Sequence, residues 1–299
     1  MLLTLIFVAI LGILVGGVVN ALADDLPLRR SPRLPRYIPD EKKMAAHIDP
    51  DEDDIEMPAD PQADDERRPL IAWLGITAFL FGKRTSSDGQ VTLGWRYPLT
   101  ELLTAFLMAL TVYATWNDPN VSDAQLILWL VYMFVFALII VIDIEHKLIL
   151  FVVVIPAAII GLLDAHFIPA AHPPHLRDAL YGAALGFGVF FLMYNGGFVF
   201  TYIMGKMRGE DIDEIAFGYG DVMMATLSGI ILGWQALIFA MFITVFLGAF
   251  GAMIYLVSRN VLGQKYSAYT ALPYGPYIVV GTIAIMLFGA EIGGLFGGA

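Results

Sequence analysis

Cysteine is missing from all 299 positions, which removes disulfides, thiolate metal sites and cysteine nucleophiles at once. Chemistry is left to oxygen and nitrogen; a metal would need His, Asp or Glu, and none is expected. Charge is scarce too: Asp, Glu, Lys and Arg make up 15% of the chain, against about 25% in soluble domains. With 58% hydrophobic residues and a mean hydropathy of +0.72, a water-soluble globular domain is excluded. Basic residues are the scarcer sign, 17 against 28 acids for a net charge of −11, so no nucleic-acid partner is expected.

Long hydrophobic runs take the place of charge. Eight are read near 3–22, 99–116, 124–143, 148–164, 178–204, 222–233, 235–257 and 277–297, most of them at or above the ~17 residues a helix needs to cross the hydrocarbon. The expected fold is an all-α polytopic bundle of about eight transmembrane helices with a large N-terminal cytoplasmic loop, its first partner being the lipid bilayer. The run at 222–233 is short and nearly continuous with its successor, so Gly233-Trp234 is expected to make the turn. Ala21-Leu22-Ala23 has the small-x-small pattern of a cleaved leader. No Lys or Arg precedes it and a basic cluster follows it, which favours a retained anchor with its N-terminus outside.

The few cations fix the expected topology. Eleven of the 17 Lys and Arg residues lie from Arg29 to Arg96, which the positive-inside rule makes cytoplasmic. Alternate crossings from there put Lys147, Lys206, Arg208, Arg259 and Lys265 inside, leave only Arg177 outside, and place both termini outside. The chain divides into a first transmembrane helix at 1–22, a cytoplasmic insertion at 23–98 and a transmembrane core at 99–299. Within the insertion, 49–66 holds ten acids, three prolines and no base, a composition expected to be disordered. It is either a solvated loop or a lure for a basic peptide. Leu70–Gly82 is apolar but thirteen residues long, too short to cross, and is expected at the interface or under the bundle.

Two carboxylates stand out against this background. Asp143 ends the third run as it reaches the cytoplasmic face, and Asp221 begins the sixth as it leaves that face. Ionisable groups on membrane helices are costly and are functional candidates by default. Asp143 lies in Val141-Ile142-Asp143-Ile144-Glu145-His146-Lys147; Asp221 closes Gly218-Tyr219-Gly220-Asp221, where two glycines permit close backbone approach. Taken singly they read as an interface marker and a helix N-cap. Together they meet opposite helix-dipole ends, partial negative charge at Asp143 favouring the protonated form and partial positive charge at Asp221 favouring the anion. That is an acid and a base for hydrolysis, with water between them.

These residues resemble the prepilin peptidases, the GxGD-type aspartic peptidases that process type IV pilins and related pseudopilins. Five landmarks carry the resemblance: Gly16-Gly17-Val18-Val19-Asn20-Ala21, Trp95-Arg96-Tyr97-Pro98 with Glu101-Leu102, Asp143, the Gly218–Asp221 motif, and Leu272-Pro273-Tyr274-Gly275-Pro276-Tyr277. It implies a membrane aspartic endopeptidase in the bacterial inner membrane, serving a pilus or secretion system, with Asp143 and Asp221 catalytic. A prepilin or pseudopilin would lose its basic leader at the cytoplasmic face. It also implies N-methylation of the new N-terminus from S-adenosylmethionine, an activity associated with the first loop, and a peptidase without that activity is the neighbouring reading. The family's paired cysteines in that loop are absent, Leu148-Ile149-Leu150 replaces its Ile-Pro, and Met223 replaces its lysine. Glu101 is a candidate to contact the substrate amine or orient a catalytic group, against an ordinary first-turn Glu. Another class stays open, a small proton-coupled transporter with the aspartates as a relay; no internal repeat supports it. His166, His172 and His175 cluster in the outer loop, where a proline-broken loop outweighs a metal site.

Overall fold

The computed structural model describes residues 1–38, 66–168, 174–208, 218–261 and 273–296, whose regular structure is helical, with no strand among them beyond two isolated bridges. The acidic run at 49–65, His172, Lys265 and Leu272 lie outside the described residues. The helices are α1 (Leu2–Asp25), α2 (Gly75–Leu80), α3 (Arg96–Thr115), α4 (Asp123–His146), α5 (Phe151–Phe167), α6 (Leu176–Arg208), α7 (Tyr219–Val261) and α8 (Gly275–Phe296). Six of them, α1, α3, α4, α6, α7 and α8, are long and apolar enough to cross a membrane, while α5 has 17 residues. The chain is a multi-pass helical membrane protein.

Six is fewer than the eight expected runs, and α7 explains part of the difference. Its 43 residues would extend about 65 Å at 1.5 Å per residue, twice the hydrocarbon thickness. It is broken at Gly233, which has φ 76 and ψ 169, a left-handed backbone that only glycine adopts without strain. The contacts of α8 show that the break is a reversal. A Cβ on Gly281 would sit 2.7 Å from the Ala240 carbonyl, while the next residue, Thr282, bonds the Ser228 hydroxyl at 2.7 Å. Positions 228 and 240 would stand about 18 Å apart on a straight helix, so the two arms of α7 fold back on each other. The short run at 222–233 is thus a helix of its own, as its sequence proposed, and α5 supplies the remaining segment.

Two compact units emerge. The first comprises 1–116 with 129–148, and the second 117–128 with 149–299. In the first, α1 and α3 run antiparallel with their backbones in contact. A Cβ on Gly12 would lie 2.5 Å from Ala105 Cα and one on Gly16 2.5 Å from Glu101 Cα, which is how small residues four apart bring membrane helices together. The insertion folds onto this pair: Leu70–Ala72 forms a 3-10 turn, and Ala72, Ala78, Tyr37, Leu93 and Tyr97 make a small buried cluster. Leu70–Gly82 therefore packs by one side, with Leu70, Leu80 and Phe81 left exposed on the other.

In the second unit α6 packs antiparallel to the first arm of α7 through glycines. A Cβ on Gly182 would lie 2.1 Å from the Gly229 carbonyl, and one on Gly186 2.3 Å from that of Ala225. The first arm runs parallel to α5, since Gly220 lies against Ile149 and Gly161 against Ile230. Alternating α5, α6 and the two arms of α7 in this way is what successive membrane crossings require.

Candidate active site

Asp143 lies in the last turn of α4 and is 5% exposed. The helix ends where Lys147 adopts a positive φ of 52, its N–H still bonded to the Asp143 carbonyl at 2.9 Å. Between them, Glu145 is bound by Arg96 Nη1. The other fork of Arg96 reaches Asp24 Oδ1 at 2.7 Å and the Asn20 carbonyl at 3.2 Å. One guanidinium therefore ties the end of α1 and the start of α3 to the turn that carries Asp143.

Asp24 is the centre of this cluster. Besides Arg96 it faces Arg68 Nη2 at 3.5 Å and accepts from the Tyr97 hydroxyl at 3.0 Å. The Arg68 and Arg96 guanidiniums lie 4.3 and 4.4 Å from the Tyr97 ring centroid, within cation–π range. Asp24 is not among the residues that the sequence singles out. The signal for it is an acidic residue in the last turn of an apolar helix, where the dipole disfavours a carboxylate unless cations meet it.

Glu101 is fully buried. Its carboxylate accepts the N–H groups of Gly75 and Ile76, the latter at 2.8 Å, and that of the Asn20 amide at 3.4 Å. Gly75 and Ile76 open α2, so Glu101 supplies acceptors to donors that a helix start leaves without intrahelical partners. The side chain holds the insertion against α1 and α3.

In the second unit Asp221 sits in the first turn of α7, 9% exposed, its N–H bonded to the Gly218 carbonyl at 3.1 Å. The two glycines of its motif differ. A Cβ on Gly220 would stand 2.8 Å from Ile149 Cβ, whereas around Gly218 the nearest atoms are 3.9 Å away or more. Gly220 is thus the one that packing demands, and its neighbour is the Ile149 that stands in the segment after Asp143. Tyr219 stacks on Phe151 at 6.1 Å and meets Tyr194 edge-on at 5.7 Å, with Phe198 beyond. Burial pushes the Tyr274 hydroxyl pKa up, and the nearby Asp221 carboxylate adds to the effect. Tyr274 therefore stays protonated near Asp221.

The structure thus gathers Asp221, Gly218, Gly220 and the Pro273–Pro276 segment in the second unit, and Asp143, Arg96, Tyr97, Glu101 and Asn20 in the first. Among the described residues no three His, Asp or Glu side chains gather as a metal site.

Residues 129–253 match the family model of the type IV leader peptidase family, a stretch that includes both aspartates. The chain is 28% identical over 295 residues to the prepilin leader peptidase/N-methyltransferase of Pseudomonas aeruginosa, covering 95% of this chain and 90% of that one. To the protein of the same name from Aeromonas hydrophila it is 29% identical over 230 residues, 76% of this chain and 68% of the relative. With that of Dichelobacter nodosus it shares 27% over 238 residues, 78% and 69%. No solved structure matches the chain.

Proposed function

We propose that the chain, whose residues 129–253 match the model of the type IV leader peptidase family, is an aspartic endopeptidase of the inner membrane that removes the basic leader of a prepilin-like substrate, with Asp143 and Asp221 as its dyad. The carrying observation is that each aspartate is buried at the end of a long apolar helix, one in a last turn and one in a first turn. Only six positions of chain separate Asp143 from Ile149, against which Gly220 packs. The positive-inside distribution puts both aspartates at the cytoplasmic face and both termini outside. The domain division follows: an anchor at 1–22, a cytoplasmic insertion at 23–98 and the peptidase core at 99–299.

In the proposed reaction Asp221, favoured as the anion at a helix start, takes a proton from water, whose oxygen attacks the scissile carbonyl. Asp143, favoured in the protonated form at a helix end, polarises that carbonyl and then protonates the leaving amine. The substrate is an apolar helix preceded by a basic leader and a glycine. The exposed rings of Phe151 and Tyr219 offer an aromatic surface to that helix beside Asp221. Glu101 and Arg96 act as positioning residues, one through α2 and the other through Glu145.

The names of the relatives also carry an N-methyltransferase activity, which would use S-adenosylmethionine. The cavity in the folded insertion is lined by Pro32, Arg33, Leu34, Arg36 and Arg67, a cationic wall that does not fit a sulfonium cation. Hydrolysis needs no cofactor. The transporter reading finds no support in the family or its relatives.

The test is cleavage of a purified prepilin-like substrate by the full chain in detergent. Asp143→Asn and Asp221→Asn are each expected to lower the rate by about 10³-fold or more, with chelators without effect. Full activity in either variant would remove the dyad.

A further inference from the structure

The stretch from Leu70 to Phe81 meets the helices of the first unit at a level that a cytoplasmic loop does not require. Leu74 packs on α1 at Gly17, where an added Cβ would stand 2.6 Å from Leu74 Cδ2. Gly17 lies eight positions before Asp25, the last residue of α1, so at 1.5 Å per residue the contact is about 12 Å inside the helix end. Gly75 packs on the first turn of α3, its Cβ position 2.6 Å from the Pro98 nitrogen, and its N–H goes to Glu101. Gly17 and Glu101 both belong to apolar runs, 3–22 and 99–116. The segment therefore folds back beside the apolar part of this helix pair instead of beyond it.

Irregular backbone at membrane depth finds no water and must be met by protein groups. Here the chain turns on itself. The N–H groups of Ala72 and Trp73 bond the carbonyls of Pro69 and Leu70 at 2.7 and 3.2 Å, and those of Phe81 and Lys83 bond the carbonyls of Thr77 and Ala78 at 3.0 and 2.8 Å. Side chains meet what the backbone leaves. The Thr77 hydroxyl lies on the carbonyls of Ile71 and Leu74, the Trp73 indole donates to the Arg68 carbonyl at 3.2 Å, and the Glu101 carboxylate takes the first two N–H groups of α2. A solvated loop would leave such groups to water.

What the segment leaves uncovered is apolar. Leu70 and Leu80 are each 76% exposed, with Ile71 and Phe81 exposed beside them. The patch continues onto α3. The Phe79 ring lies 4.9 Å from that of Trp95, and exposed Trp95, Leu99, Leu102 and Phe106 follow at helical spacing along one face of α3, apart from the Glu101 and Ala105 positions that meet α1. A Trp at the end of such a stripe is the interfacial aromatic of a membrane helix. We propose that Leu70–Phe81 is inserted in the cytoplasmic leaflet without crossing it, with Leu70, Ile71, Leu80 and Phe81 resting against lipid acyl chains. The insertion is thereby anchored in the bilayer between α1 and α3, and the Glu101 carboxylate serves that anchor. The proposal rests on α1 and α3 spanning the membrane and stands or falls independently of the dyad.

The test uses single thiols in the full chain, which has none of its own. Leu80→Cys and, separately, Leu70→Cys are labelled with an environment-sensitive fluorophore and reconstituted in lipid nanodiscs. Leu99→Cys on the α3 stripe and Gln90→Cys, an exposed position of the same insertion, serve as references. Both test positions are expected to be quenched by spin-labelled lipids at a depth of about 5–10 Å below the headgroups. They should also lose quenching by aqueous iodide, as Leu99→Cys does, while Gln90→Cys shows the reverse. Iodide quenching at Leu80→Cys and Leu70→Cys equal to that at Gln90→Cys, with no quenching from lipid, overturns the proposal by putting the segment in water. Protection from both quenchers overturns it too, because a second copy of the chain would then be the occupant.

Discussion

Asp143 and Asp221 are held by opposite means. The turn that carries Asp143 is secured by charge, with Arg96 clasping Glu145 and Asp24, and Arg68 and Tyr97 closing on Asp24 from other sides. The turn that carries Asp221 is secured by the absence of side chains, with Gly220 against Ile149 and, further along, Gly182 and Gly186 against the carbonyls of Gly229 and Ala225. A charge network fails when one partner is removed, since the others remain buried and uncompensated. A glycine contact fails when a single carbon is added. The turns that carry the two aspartates are therefore sensitive to different kinds of substitution.

The sharpest break in the comparison is expected in the first unit. Arg96→Met or Asp24→Asn leaves its partners buried and unpaired, with side-chain exposures of 15% and 5% for Arg96 and Asp24. A loss of about 3–5 kcal/mol should register as a large fall in unfolding temperature in detergent. Arg96→Lys keeps the charge but loses the second fork, so it should recover only part of that loss. In the second unit Gly182→Ala and Gly186→Ala should each cost about 1–3 kcal/mol, read by the same scans. Gly220→Ala should lower substrate cleavage more than it lowers stability, because the displaced backbone leads directly to Asp221. At the small end, a Cβ on Gly188 would meet nothing within 4 Å, so Gly188→Ala should change stability by less than about 0.5 kcal/mol. Comparable losses at Gly188 and Gly182 would show that close approach does not set the glycine pattern, since helix propensity alone favours Ala at both positions.

How much of this is legible in the sequence depends on distance along the chain. Gly233 as a turn and Gly218–Asp221 as a motif are local signals, readable from residue type. The face formed by Gly12, Gly16 and Asn20 on α1 follows from four-residue spacing, and its partner α3 can be guessed only from the expected topology. The Arg96 contacts are not legible, because they join positions 49 and 72 residues apart. Asp24 escapes notice because the apolar run stops at 22, short of the observed helix end at Asp25. Glu101 reads as a residue awaiting substrate, and no sequence pattern reveals that two N–H groups of α2 already occupy its carboxylate. The missing Ile-Pro after Asp143 gains a meaning only from the fold, where Ile149 meets Gly220.

The chain's lack of cysteine permits a direct test of the central claim, that Asp143 and Asp221 act on one substrate together. In an Asp143→Cys/Asp221→Cys double variant the two introduced residues are the only thiols, and a short bifunctional thiol reagent applied in native membranes should join them. The expected result is an internal cross-link, shown by a protease cut between α4 and α7 that no longer separates the fragments, with neither single variant cross-linked. Efficient labelling of both thiols by a monofunctional reagent, without any cross-link under the bifunctional one, would contradict the account.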